Sequence, residues 1–86
     1  METKTLVVSV TGPELRRRRL AAGIPGRLVC VHARVDRSRL SDIEREYVNP
    51  SAAEVARLED AIEQLATAKQ KLIAMAEKCG WPISAL

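Results

Sequence analysis

The sequence predicts an all-α domain, a bundle of short helices preceded by one short strand and followed by a helix too long for the bundle to cover. Three observations lead there. Aromatic residues make up 2% of the 86 residues against 47% hydrophobic, so the core has to be built from Leu, Ile, Val and Ala on closely packed helices. Four stretches open on a capping residue or a proline, and three of them close on glycine or ahead of Asn-Pro. The last of them repeats apolar residues at intervals of three and four, the period of a helix face. A chain of this length has room for one domain with a marginal core, which favours support from a second subunit.

Along the chain, Leu6, Val8 and Val10 alternate with Thr5, Val7 and Ser9 until Gly12-Pro13, which reads as a lone strand within an arm spanning residues 1–11. A lone strand has unpaired backbone groups, so Leu6, Val8 and Val10 are candidate dimer contacts to a second copy. Thr11 or Gly12 caps the first helix, with Pro13 in its first turn and Glu14 near its positive end, and Gly23 stops it after about Ala22. A second short helix starts at Pro25 and ends near Arg34.

Asp36 caps a third helix from Arg37 to about Tyr47, closed by Asn49-Pro50. On it Leu40, Ile43 and Tyr47 share an inner face, while Ser38, Ser41, Asp42 and Arg45 point outward. Glu44 falls close to the apolar side and calls for a basic partner. Residues 12–50 thus form the core unit. Ser51 with Glu54 is a capping box that opens a long helix over residues 51–80, carrying Val55, Leu58, Ile62, Leu65, Leu72, Ala76 and Cys79, with Lys69 as one interruption. Such a helix reaches about 43 Å at 1.5 Å per residue. Leu65, Leu72 and Cys79 are therefore candidate intersubunit contacts. Gly80 ends the helix before a tail at residues 81–86, with Trp81 read as an apolar cover over the helix end.

Charge is unevenly spread. Residues 12–45 hold nine arginines against Glu14, Asp36, Asp42 and Glu44, a balance of +5, whereas residues 46–86 carry −2. A polyanion would meet the first half. The run Arg16 to Arg19 reads by itself as a solvated helix face, and His32 as a surface or packing histidine. Cys30 and Cys79 lie far apart with no second Cys or His at ligand spacing, which predicts reduced thiols, no metal and no cofactor. No nucleophile–base pair or phosphate loop is present, so the sequence points away from an enzyme. The apolar stretch Leu6-Val7-Val8-Ser9-Val10 is too short for a membrane span or a signal sequence, and the expected location is cytoplasmic.

Two short helices joined by a tight turn, the second with one apolar and one polar side, are the arrangement that places a helix in a DNA groove. The residues sharpen this. From Gly23 through Arg45, and on to Asn49-Pro50-Ser51, the chain resembles without gaps the Cro/repressor helix-turn-helix family of phage and bacterial regulators. Ile24, Val29, Cys30, Ala33, Val35, Leu40, Ile43, Glu44, Asn49 and Pro50 stand at that family's characteristic places, and the likeness covers roughly Leu15 to Leu65. It implies a lambda-repressor-like bundle and a transcriptional regulator, a repressor, binding double-stranded DNA as a homodimer on a palindromic operator. It further implies a structural ion pair between Arg19 and Glu44. Base contacts would come from Arg37, Ser38, Ser41 and Asp42, and phosphate contacts from Gly26, Arg27, Arg39, Arg45, Tyr47 and Asn49. Arg34 and Glu46 stand where the family usually has Gly, Gly26 where it has Gln, and Arg18 where it has an apolar residue. At Arg34 this requires either a positive φ or a different turn. The rival expectation is an antitoxin-like or adaptor module whose helical tail or β-strand binds a partner protein, with capture through the stretch from Val55 to Leu86 as its sign.

Overall fold

The computed structural model describes residues 10–82. They form four helices and no strand: α1 (Gly12–Ala21), α2 (Gly26–Ala33), α3 (Arg37–Glu44) and α4 (Ala52–Cys79). Val10 belongs to no helix or strand; it packs, half-buried, against the core. The rest of the expected strand, including Leu6 and Val8, lies outside the described residues.

Each helix start follows from its local chemistry. Thr11 accepts the Glu14 amide at 3.2 Å, and Asp36 accepts the Ser38 amide at 3.3 Å. At α4 the capping box is closed both ways, Glu54 N–H to Ser51 Oγ at 3.1 Å and Ser51 N–H to Glu54 Oε1 at 3.0 Å. Only α2 begins without a side-chain cap, behind Pro25. Such caps satisfy amides that the first turn of a helix leaves without partners.

All four helices end by one device. A residue in the left-handed region is followed by an apolar or aromatic residue whose amide returns to the carbonyl five positions earlier. The bonds are Ile24 to Arg19 at 3.0 Å, Val35 to Cys30 at 3.0 Å, Tyr47 to Asp42 at 2.8 Å and Trp81 to Ala76 at 2.8 Å. The left-handed residues are Gly23 (φ 69°), Arg34 (φ 59°), Glu46 (φ 64°) and Gly80 (φ 73°). This is the Schellman arrangement. Two of its four pivots are not glycine, and each bears a steric cost of roughly 1 kcal/mol. The pivot at Glu46 also corrects the expected length of the third helix. α3 stops at Glu44, and Tyr47, expected on its inner face, is 71% exposed beyond its end.

α1, α2 and α3 pack on one another and on the first half of α4. The core gathers Leu15, Ile24, Val29, Cys30, Ala33, Val35, Leu40, Ile43, Leu58, Ala61 and Ile62, with Leu65 half-buried at its edge. The approach of α1 to α3 is close: a Cβ on Gly12 would stand 1.8 Å from the Ile43 carbonyl oxygen. Lys69, which breaks the apolar repeat of α4, donates its ammonium to the Gly23 carbonyl at 3.0 Å and so ties α4 to the end of α1. No residue of α4 past Leu65 joins the core. Among the described residues, no helix is long and apolar enough to cross a membrane.

Candidate nucleic-acid interface

The turn between α2 and α3 is three residues, Arg34, Val35 and Asp36. Val35 is buried, and Arg34 and Asp36 are exposed. The left-handed Arg34 reverses the chain while Val35 drops into the core, so α3 leaves the turn with a fixed roll. Its Leu40, Ile43 and Glu44 turn inward, and Arg37 and Ser38 stand exposed at its beginning. Further along the same side, Ser41 and Asp42 are half-buried.

One inward residue is charged. Glu44 is 9% exposed, and its carboxylate receives both arms of Arg19, Nε to Oε2 at 2.9 Å and Nη2 to Oε1 at 3.0 Å. The third guanidinium nitrogen donates to the Ile24 carbonyl at 3.1 Å. A buried carboxylate requires this degree of pairing. The pair spans α1 and α3 and hydrogen-bonds the chain just before α2, so it sets how the three helices meet.

Around that pair lies an open groove of about 350 Å³, lined by Arg16, Arg19, Gly26, Arg27, Cys30, Arg37, Leu40, Ser41, Glu44 and Arg45. Five arginines from three helices and one helix end thus converge where the α2 amides begin. A helix N-terminus adds positive potential to such a face. Arg27, Arg34, Arg37 and Arg45 take part in no ion pair among the described residues, and Arg16 stands 3.9 Å from Glu44 with its side chain 57% exposed. Burial pushes the Cys30 thiol up, away from the reactive thiolate.

The candidate contact residues are distributed as follows. Arg37, Ser38, Arg27, Arg45, Tyr47 and Asn49 are exposed, and Gly26, Ser41 and Asp42 are half-buried. Gly26, Arg27, Arg37, Ser41 and Arg45 share the groove; Asn49 lies instead in a separate hollow with Gly12, Ile43 and Val55. Ser38 donates its hydroxyl to the Asp36 carboxylate at 2.5 Å. That bond holds Asp36 below its ordinary range and leaves the serine oxygen able to accept. Arg39 differs from the other phosphate candidates. It is locked onto Glu54, Nε to Oε2 at 3.0 Å and Nη2 to Oε1 at 2.8 Å, joining α3 to the start of α4. A phosphate contact from Arg39 would require that pair to open.

Sequence reading missed Arg16, taken as part of a solvated run. Its position three residues before Arg19 was the available signal, since both then project from one side of α1. Of the candidate dimer residues, Leu65 is half-buried against the core, whereas Leu72 and Cys79 are exposed. Comparison with protein-family models, curated proteins and solved structures gives no match for this chain.

Proposed function

We propose that this chain is a sequence-specific DNA-binding regulator of the Cro/repressor helix-turn-helix kind, acting as a homodimer on a two-fold operator. The supporting observation is the presentation of α3: Leu40, Ile43 and Glu44 are inward, while Arg37 is exposed beside a groove that Arg16, Arg27 and Arg45 also line. Arg37 reads a guanine edge through its two-armed guanidinium, Ser38 accepts from an adjacent base, and Ser41 accepts or donates. Arg16, Arg27, Arg45 and the first amides of α2 hold phosphates and fix register. The regulator acts as a repressor by occupying its operator, with two half-sites about one helical turn apart.

The test is a gel-shift titration with the DNA flanking the chain's own gene, against competitor DNA and rising salt. Specific retention survives competitor and weakens steeply with salt. Arg37→Ala costs about 1–3 kcal/mol on the specific site and less on random duplex. Equal losses on both would reduce Arg37 to a phosphate contact, and no retention at low salt would remove DNA from the proposal.

A further inference from the structure

Three of the seven large apolar side chains left exposed among the described residues cluster away from the arginine groove. Leu72 is 55%, Met75 63% and Trp81 60% exposed, and with Ala76 and Cys79 they line an apolar hollow of about 230 Å³ at the far end of α4. On the neighbouring α2, His32 bonds Gln64 at 2.7 Å across the two helices, and Leu28, one turn before His32, is 43% exposed. An apolar stripe of this kind marks a contact surface.

The charges beside the stripe say what fits it. At about 100° per residue, Asp60, Gln64, Thr67, Lys71 and Lys78 fall along one edge of α4. Asp60, Glu63, Gln64, Thr67, Ala68 and Lys71 line a continuous groove there. Acid lies at its early end and base at its late end. Asp60, Glu63, Lys71 and Lys78 are all exposed and take part in no ion pair among the described residues. A parallel neighbour of the same sequence would set acid beside acid. An antiparallel one sets each acidic end beside the other's basic end.

We propose that the occupant is a second copy of this chain, its α4 antiparallel to the first across a two-fold axis near Gln70. That axis lays Leu72 against Ala68 of the second copy and Met75 toward its Leu65; Lys78 falls two residues, about 3 Å, from its Asp60, within reach of the lysine side chain, while Lys71 falls near the second copy's Lys71. Each contact is made twice, as a two-fold interface requires. The assignment deepens the homodimer proposed above and rests on none of its DNA contacts.

Sedimentation equilibrium of the full chain tests it, with circular dichroism to keep unfolding apart from dissociation. The unaltered chain is a dimer, and Leu72→Lys weakens it at least about tenfold with helicity retained. Asp60→Lys alone and Lys78→Asp alone each weaken it by about tenfold, since each pair occurs twice. The two reversals together restore it. A chain that stays monomeric, or a dimer indifferent to Leu72→Lys and to both reversals, overturns the proposal and leaves another surface, such as residues 1–9, to carry any pairing. A dimer that responds as described while DNA retention fails supports this interface and sinks the DNA reading alone.

Discussion

The arginines of the first three helices serve two regions differently. Behind and between the helices, Arg17 and Arg18 grip Glu14, Arg18 reaches Glu59, Arg19 holds Glu44 and Arg39 holds Glu54, all at 2.6–3.1 Å. Arg27, Arg37 and Arg45, which line the open groove, have no such partner among the described residues, and neither does Arg34 in the turn before α3. The first region uses positive charge to position helices, and its field is cancelled locally by the glutamates. The second leaves its charge uncancelled, so the potential a polyanion meets comes from that side. A +5 balance over residues 12–45 therefore understates how one-sided the molecule is.

The sharpest way to break this division is to take an arginine from each region. Arg19→Ala leaves the Glu44 carboxylate buried without its two-armed partner. The expected loss is about 3 kcal/mol, the low end for a buried pair, because Arg16 can move in from 3.9 Å. Arg37→Ala, on the open side, changes stability by less than about 0.5 kcal/mol. Urea unfolding of both variants measures this, and equal stability losses would erase the distinction between the regions. Gly12→Ala probes the same scaffold without touching charge. Its new methyl would meet the Ile43 carbonyl, so α1 must shift off α3, at a cost of about 2–3 kcal/mol.

What the sequence made legible was mostly local. Thr11, Asp36, Ser51 with Glu54, Gly23 and Gly80 announce helix boundaries because capping needs only neighbours within a few residues. The need of Glu44 for a base could be read from helix period alone, while Arg19 as its partner came from the family likeness. Choices that depend on tertiary packing were hidden. Glu54 serves its own capping box and also Arg39, fifteen positions away; Gly12 serves as a close-approach residue as well as a helix starter. Lys69 reads as a flaw in an apolar repeat until its bond to Gly23 is seen. Tyr47 lies beyond α3 because Glu46 is left-handed; a glycine would have announced this, and the sole sign in the sequence is that the resembled family has Gly at that place.

Those left-handed pivots give a smaller test. Arg34→Gly relieves a φ of 59° and is expected to stabilise the fold by about 0.5–1 kcal/mol, part of the gain being returned through the freer unfolded chain. Since Arg34 also belongs to the unpaired set, under the proposed DNA binding the same variant is expected to weaken nonspecific duplex binding and lower its salt slope by about one unit. Higher stability with unchanged salt slope would place Arg34 outside the polyanion-facing charge.

The gentlest effect concerns acid, and it separates the two regions without disturbing packing. Hydrogen bonds from Arg17 and Arg18 hold the Glu14 carboxyl down at about 2, and the Arg39 guanidinium together with the Ser51 amide does the same for Glu54, against 4.5 for each when free. A carboxyl with a lowered folded-state pKa stabilises the fold fully above its unfolded value and loses that contribution as pH falls through the folded one. Stability should therefore decline between about pH 4.5 and pH 2. Glu54→Gln lowers stability at neutral pH, flattens the acid limb, and converges with the unaltered chain only below about pH 2, where the Glu54 carboxyl is protonated in the folded state as well. Both carboxyls are solvent-accessible, so added salt shrinks the difference. Arg37→Ala lies outside these pairs and must leave the acid limb unchanged; denaturation midpoints measured across this pH range decide it, and a flattened limb for Arg37→Ala would show that the two sets of arginines are electrostatically one.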